Sequence, residues 1–230
     1  MTRSYEISEE KLGNYLAKIQ NETGREIVFQ RVDVLGISGI PCSYQYHPSR
    51  ILILVRRDVD FADPRTRQYI AHEATHGLLE HAKGHFRAVL KRDASEDEKR
   101  QAEILATIIE DIVVNRILQD EGFPPFSSVY LPMVRKETDS IRKGESLYNL
   151  YKQVSNDTLT IDRFIVFRYI MAWGFLKYLS LETHEREIIE EFLETFETKC
   201  LKEFEMATQV RTIILQNDIL IVCSRRHLHC

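Results

Sequence analysis

The chain has 230 residues, with 43% hydrophobic and 29% charged residues, which is enough apolar content to bury a core and excludes a disordered chain. Its 31 Lys and Arg against 35 Asp and Glu leave a formal net charge of −4. No positive excess remains to neutralise phosphates, so nucleic acid is not an expected partner.

The first thirty residues hold no apolar stretch with a small-residue cleavage site, so a secretory signal is not expected. Residues 6–20 place Ile7, Leu12, Tyr15, Leu16 and Ile19 on one side of a short amphipathic helix. Residues 26–34 (EIVFQRVDV) are rich in β-branched side chains and predict a strand. Residues 35–49, with Gly36, Gly39, Pro41 and Pro48, predict turns, and the apolar run 50–57 (RILILVRR) a buried strand.

Asp63-Pro64 is a helix start. The Asp63 carboxylate can accept from an orphan backbone N–H, and Pro64 at the first helical position has no N–H to lose. The helix is expected to run from Pro64 to Lys83, with Gly84 as its break. The stretch 91–100 is a solvated connection or a first helical turn, and a second helix over 97–120 ends at Glu121-Gly122.

The remainder is expected to be mostly helical, with segments near 145–155, 161–181 and 184–217 and a strand in 219–230. Its many aromatics, among them Phe164, Phe167, Tyr169, Trp173, Phe175, Phe192, Phe196 and Phe204, read as core. The most apolar window, 160–181, carries Asp162, Arg163, Arg168 and Lys177, each costly in hydrocarbon, so a membrane partner is not expected. Cys42, Cys200, Cys223 and Cys230 form no CxxC pair, which fits a reduced cytoplasmic protein.

Four of the eight histidines fall at His72, His76, His81 and His85. His72-Glu73-Ala74-Thr75-His76 is an H-E-x-x-H sequence inside the capped helix. Positions four apart share a helix face, so both imidazoles can reach one metal ion. Glu73, one residue further round the axis, faces a water on that ion and can move its proton. A catalytic zinc site needs a third protein ligand. His81 lies about 140° round an ideal helix from His76, and His85 on nearly the same face as His81. Either serves only if the helix breaks. Helical phase puts Asp111 and Asn115 on the buried stripe of the second helix with Ile104 and Ile108, and Glu110 on its flank with Glu103 and Thr107. A buried acid needs a partner, and a cation supplies one. Asp111 is the expected third ligand, Asn115 a residue that orients a ligand, and Glu110 the alternative to Asp111.

Strand, turn, strand, then YIAHEATHGLLEH on a helix with an acidic helix 35 residues later resembles the zincin metallopeptidases. The acidic third ligand is similar to that of the gluzincin branch. His81 and Asp111-x-x-x-Asn115 also resemble metallopeptidase domains found beside von Willebrand-A-like modules. The resemblance covers about residues 26–120. It implies a hydrolase in which Glu73 is the base for a zinc-bound water, acting on a peptide or protein substrate. It also implies that the strand near 50–57 lines the cleft and pairs with an extended substrate. An oxyanion-stabilising His or Tyr is expected too, with Tyr130, Tyr148 and Tyr169 as candidates. The gluzincin acid is Glu, and Asp111 is one methylene shorter.

The expected fold is therefore α+β and mostly helical. A small sheet packs on the HExxH helix in a metallopeptidase-like core, 1–122, and a C-terminal helical subdomain, 123–230, follows as a bundle. The expected cofactor is Zn2+. The alternative is a non-catalytic metal-binding regulatory or protein-interaction domain.

Overall fold

The computed structural model describes residues 7–35, 40–83, 95–124, 127–152 and 158–216. Among the described residues lie eight α-helices, three strands and one π-helical turn, so the fold is α+β and mostly helical. The chain divides into two compact units, Met1–Phe86 with Ile117–Pro124, and Arg87–Arg116 with Pro125–Cys230. The strand expected in 219–230 lies outside the described residues.

The first unit opens with α1 (Glu9–Thr23), whose N-cap Ser8 accepts a hydrogen bond from the Lys11 amide at 3.1 Å. Leu12, Tyr15 and Ile19 bury one face, and Gly24 at φ 62° closes the helix in the left-handed conformation that glycine adopts without strain. Three strands follow: β1 (Glu26–Val32), β2 (Cys42–Gln45) and β3 (Arg50–Arg56), in the order β1-β3-β2. β1 runs parallel to β3 and β2 antiparallel to it. β2 sits inside the stretch expected to form turns, because four residues are too few to show an alternating pattern.

The position of β3 corrects one expectation. It is the central strand, hydrogen-bonded on both sides, with Ile51, Ile53 and Val55 fully buried. Its backbone is used up by its neighbours, so it cannot pair with a substrate chain. The apolar run at 50–57 reflects a strand at the centre of the sheet, not one at the lip of a cleft.

α2 (Pro64–Leu78) starts where Asp63-Pro64 predicts, with the Asp63 carboxylate accepting from the Arg65 amide at 3.0 Å. Ile70, Ala71, Ala74 and Leu78 are buried along it. It packs against β2 and β3, and Gly77 meets β3 at Ile51. On the α1 side, the Tyr15 hydroxyl and Thr75 Oγ1 are 2.8 Å apart and buried. After Leu78 the helix widens into a π-helical turn, Leu79–Lys83, before the expected break at Gly84.

α3 (Glu96–Asp120) is the second predicted helix. Gly122, at φ 74°, follows it, and the Phe123 amide donates back to the Leu118 carbonyl at 2.9 Å. In the second unit, α4 (Ser127–Arg142), α5 (Leu147–Tyr151), α6 (Thr158–Tyr178), α7 (Thr183–Lys199) and α8 (Leu201–Gln216) pack α4 on α7 and α6 on both α7 and α8. α4 was not among the expected helices. Pro132 lies inside it and Pro124-Pro125 just before it, and both read as breakers. The expected segment 184–217 is two helices, parted at Cys200. Tyr169, Phe175, Phe192 and Phe196 fill the unit's core, whereas Phe164, Phe167, Trp173 and Phe204, also expected there, are half-buried. Among the described residues no helix is long and apolar enough to cross a membrane.

Candidate metal centre

The geometry begins with the helical repeat. His72 and His76 lie one turn apart on α2, and their Nε2 atoms face each other at 3.1 Å. The rings meet at 74° with centroids 4.8 Å apart. His72 is buried and His76 half-buried. For a zinc–nitrogen distance of about 2.05 Å, a 3.1 Å separation subtends about 98° at the ion, near the tetrahedral value of about 109°. The two nitrogens are therefore spaced as two ligands of one cation are. The same spacing also suits one neutral imidazole donating to the other.

Glu73 is half-buried, and its Oε2 accepts the backbone N–H of Tyr44 at 2.6 Å. This contact ties the motif helix to β2. Tyr44 also lays its ring parallel to that of His76, with 13° between planes and 6.4 Å between centroids. Two residues on, Tyr46 does the same with His81, at 14° and 5.9 Å. The histidines five positions apart thus both face β2. An ideal α-helix would have turned His81 away, but the π-helical turn winds fewer degrees per residue and brings it round. His81 Nε2 is buried with no hydrogen-bond partner among the described residues, and burial holds the ring's pKa below the usual histidine value. His85 lies outside the described residues.

The sequence reading missed Tyr44 and Tyr46. Their signal is the i, i+2 spacing in CSYQYH, which puts both side chains on one face once the segment is known to be extended. Cys42 shares that strand. It is wholly buried, and burial together with nearby Glu73 pushes its thiol pKa well up.

The acidic residues of α3 belong to the second unit. Glu110 is 8% exposed, Asn115 1% exposed, and Asp111 half-buried. Glu110 is thus no flank residue, because the helix is buried around most of its circumference from Ile108 to Asn115. Asn115 Nδ2 donates to the Asp111 carbonyl at 2.7 Å, which braces the backbone there. Of the tyrosines considered for oxyanion stabilisation, Tyr130 donates to the Arg168 carbonyl at 2.7 Å and Tyr169 to Glu197 at 2.6 Å. The Tyr148 hydroxyl lies 3.2 Å from Thr158 Oγ1. All three hydroxyls are engaged within their own unit.

No family model, curated protein or solved structure matches the chain.

Proposed function

We propose that the protein is a zinc-dependent peptidase of the cytoplasm, with His72 and His76 as two ligands and Asp111 as the third. The observation that carries this reading is the pair of facing Nε2 atoms 3.1 Å apart on a capped helix. Supporting it, Glu73 lies beside His72 on the same capped helix. When bound, the cation would polarise the scissile carbonyl and make water acidic enough to attack near neutral pH. Glu73, next to His72, takes the proton of the attacking water and hands it to the leaving amine. Asn115 steadies the backbone that carries Asp111. Glu110 is the alternative third ligand.

A second reading, a cation-binding interaction module that does not cleave, has its own observation: the Glu73 carboxylate is held by the Tyr44 amide. Three measurements separate the readings. Elemental analysis of protein purified without chelator is expected to give about one zinc per chain. His72→Ala and His76→Ala lose it, and Asp111→Ala loses more than Glu110→Ala. A broad peptide library then distinguishes peptidase from module. Fragments released by the wild type and not by Glu73→Gln support hydrolysis, whereas equal release by both rules it out.

A further inference from the structure

β1 forms the edge of the sheet opposite β2, and it pairs with β3 along its whole length. Two contacts fix the direction of its backbone groups. The Arg57 amide donates to the Val32 carbonyl at 2.9 Å, so the even-numbered residues turn toward β3. The Ile27 amide donates instead to Gln20 Oε1 at 2.9 Å, so the odd-numbered residues turn outward. The outward N–H and C=O of Phe29 and Arg31 have no partner among the described residues. No Pro or Lys guards the stretch 26–34, and the Arg31 guanidinium is folded back onto the Arg56 and Val59 carbonyls at 2.8 and 2.9 Å. Phe29 is 37% exposed, and Val34, just past the strand, is 81% exposed.

We propose that β1 is the contact of a homodimer, to which β1 of a second copy adds antiparallel about a two-fold axis at Phe29. The two Phe29 residues then exchange N–H···O=C bonds. Each Arg31 amide donates to the Ile27 carbonyl of the second copy, and the Ile27 amides stay with Gln20. Charge selects this register. With the axis at Phe29, Arg25 of one copy stands opposite Asp33 of the other at both ends, and no like charges meet. With the axis at Gln30, Asp33 would face Ile27, and with the axis at Val28, Arg25 would face Arg31. The chosen register also covers the Phe29 ring, which already meets Phe61 edge-on at 5.6 Å. One pair of strands covers less than a standard interface, so the dimer is a weak one. The proposal goes beyond the peptidase reading and uses none of its residues.

Sedimentation equilibrium of the full-length protein, from about 10 μM to about 1 mM, is the test. The wild type is expected to rise from the mass of one chain toward that of two. Arg25→Asp and Asp33→Arg each set like charges opposite at both ends and should weaken the association about threefold to tenfold. Mixed in equal amounts, these two variants restore both opposite-charge pairs. The mixture should associate as the wild type does, and more tightly than either variant alone. Phe29→Pro removes the central outward N–H, which β3 does not use, and should abolish the dimer, with circular dichroism confirming the fold. A chain that stays monomeric throughout overturns the proposal. So does a dimer indifferent to Phe29→Pro or to both charge reversals, or a mixture no tighter than its separate variants. None of these results depends on zinc content or on cleavage, which test the peptidase reading separately.

Discussion

A methyl group added at Gly77 tests how α2 is seated on the sheet. An ideal Cβ there falls 2.5 Å from Ile51 Cγ2, 2.9 Å from Cγ1 and 3.0 Å from Cδ1. Carbon atoms in good contact sit about 3.5–4.0 Å apart, so helix and strand must part by about 1 Å. Ile51 is fully buried on the central strand and has nowhere to retreat. Overpacking of this kind costs about 1–3 kcal/mol. Alanine also gains about 1 kcal/mol over glycine in a helix interior, which leaves Gly77→Ala with a net cost of about 0–2 kcal/mol, and about 1–3 kcal/mol worse than alanine at a helix glycine with open space around it. Gly13, inside α1, is the control, since nothing lies within 4 Å of its added Cβ. There the propensity term acts alone, and Gly13→Ala should be stabilised by about 0.5–1 kcal/mol. Urea denaturation followed by circular dichroism reads both. In an Ile51→Ala background the cost of Gly77→Ala should vanish, since the clashing atoms are gone. If Gly77→Ala is stabilised as much as Gly13→Ala, the close approach of α2 to β3 is refuted.

Other expectations concern the caps and the second unit's polar core. Asp63→Ala removes the α2 cap and should cost about 1 kcal/mol in the same assay, with Asp63→Asn nearly neutral. Glu137, 4% exposed, takes a hydrogen bond from Tyr151 and pairs with Arg168 Nε at 3.2 Å. Arg168→Met strands that carboxylate in the core and should cost about 3–5 kcal/mol, whereas Arg168→Met with Glu137→Leu should recover much of it. Burial holds the Glu137 carboxyl above its ordinary 4.5, against the pull of Arg168. Between that value and the raised one the folded chain binds more protons than the unfolded, so this group's contribution falls as pH rises through the window. Glu137→Gln should flatten that part of the profile, measured by urea denaturation from about pH 4 to pH 7.

What could be read from residue order was whatever has a local cause. The start of α2 was legible because Asp63-Pro64 supplies a cap and a fixed φ, and β3 because five apolar residues run together. The spacing of His72 and His76 follows from the helical repeat alone. The parts that escaped depend on neighbours distant in sequence. β2 shows itself as a strand only beside β3, and the π-helical turn only where His81 meets Tyr46. α4 runs on through Pro132, although proline lacks the N–H of the helical ladder and so reads from the sequence as a helix end. Glu110 reads as a flank residue until the rest of the helix's circumference is known to be covered.

The thiol of Cys42 has a practical consequence. With no exposed surface and burial opposing its ionisation, it is shielded from alkylating reagents both by access and by chemistry. Modification of this one sulfur therefore clocks how often the short edge strand peels from the sheet. Followed by mass spectrometry of the digested protein, which separates Cys42 from Cys200, Cys223 and Cys230, it would turn a native cysteine into a stopwatch for the opening of the strand beside the histidines.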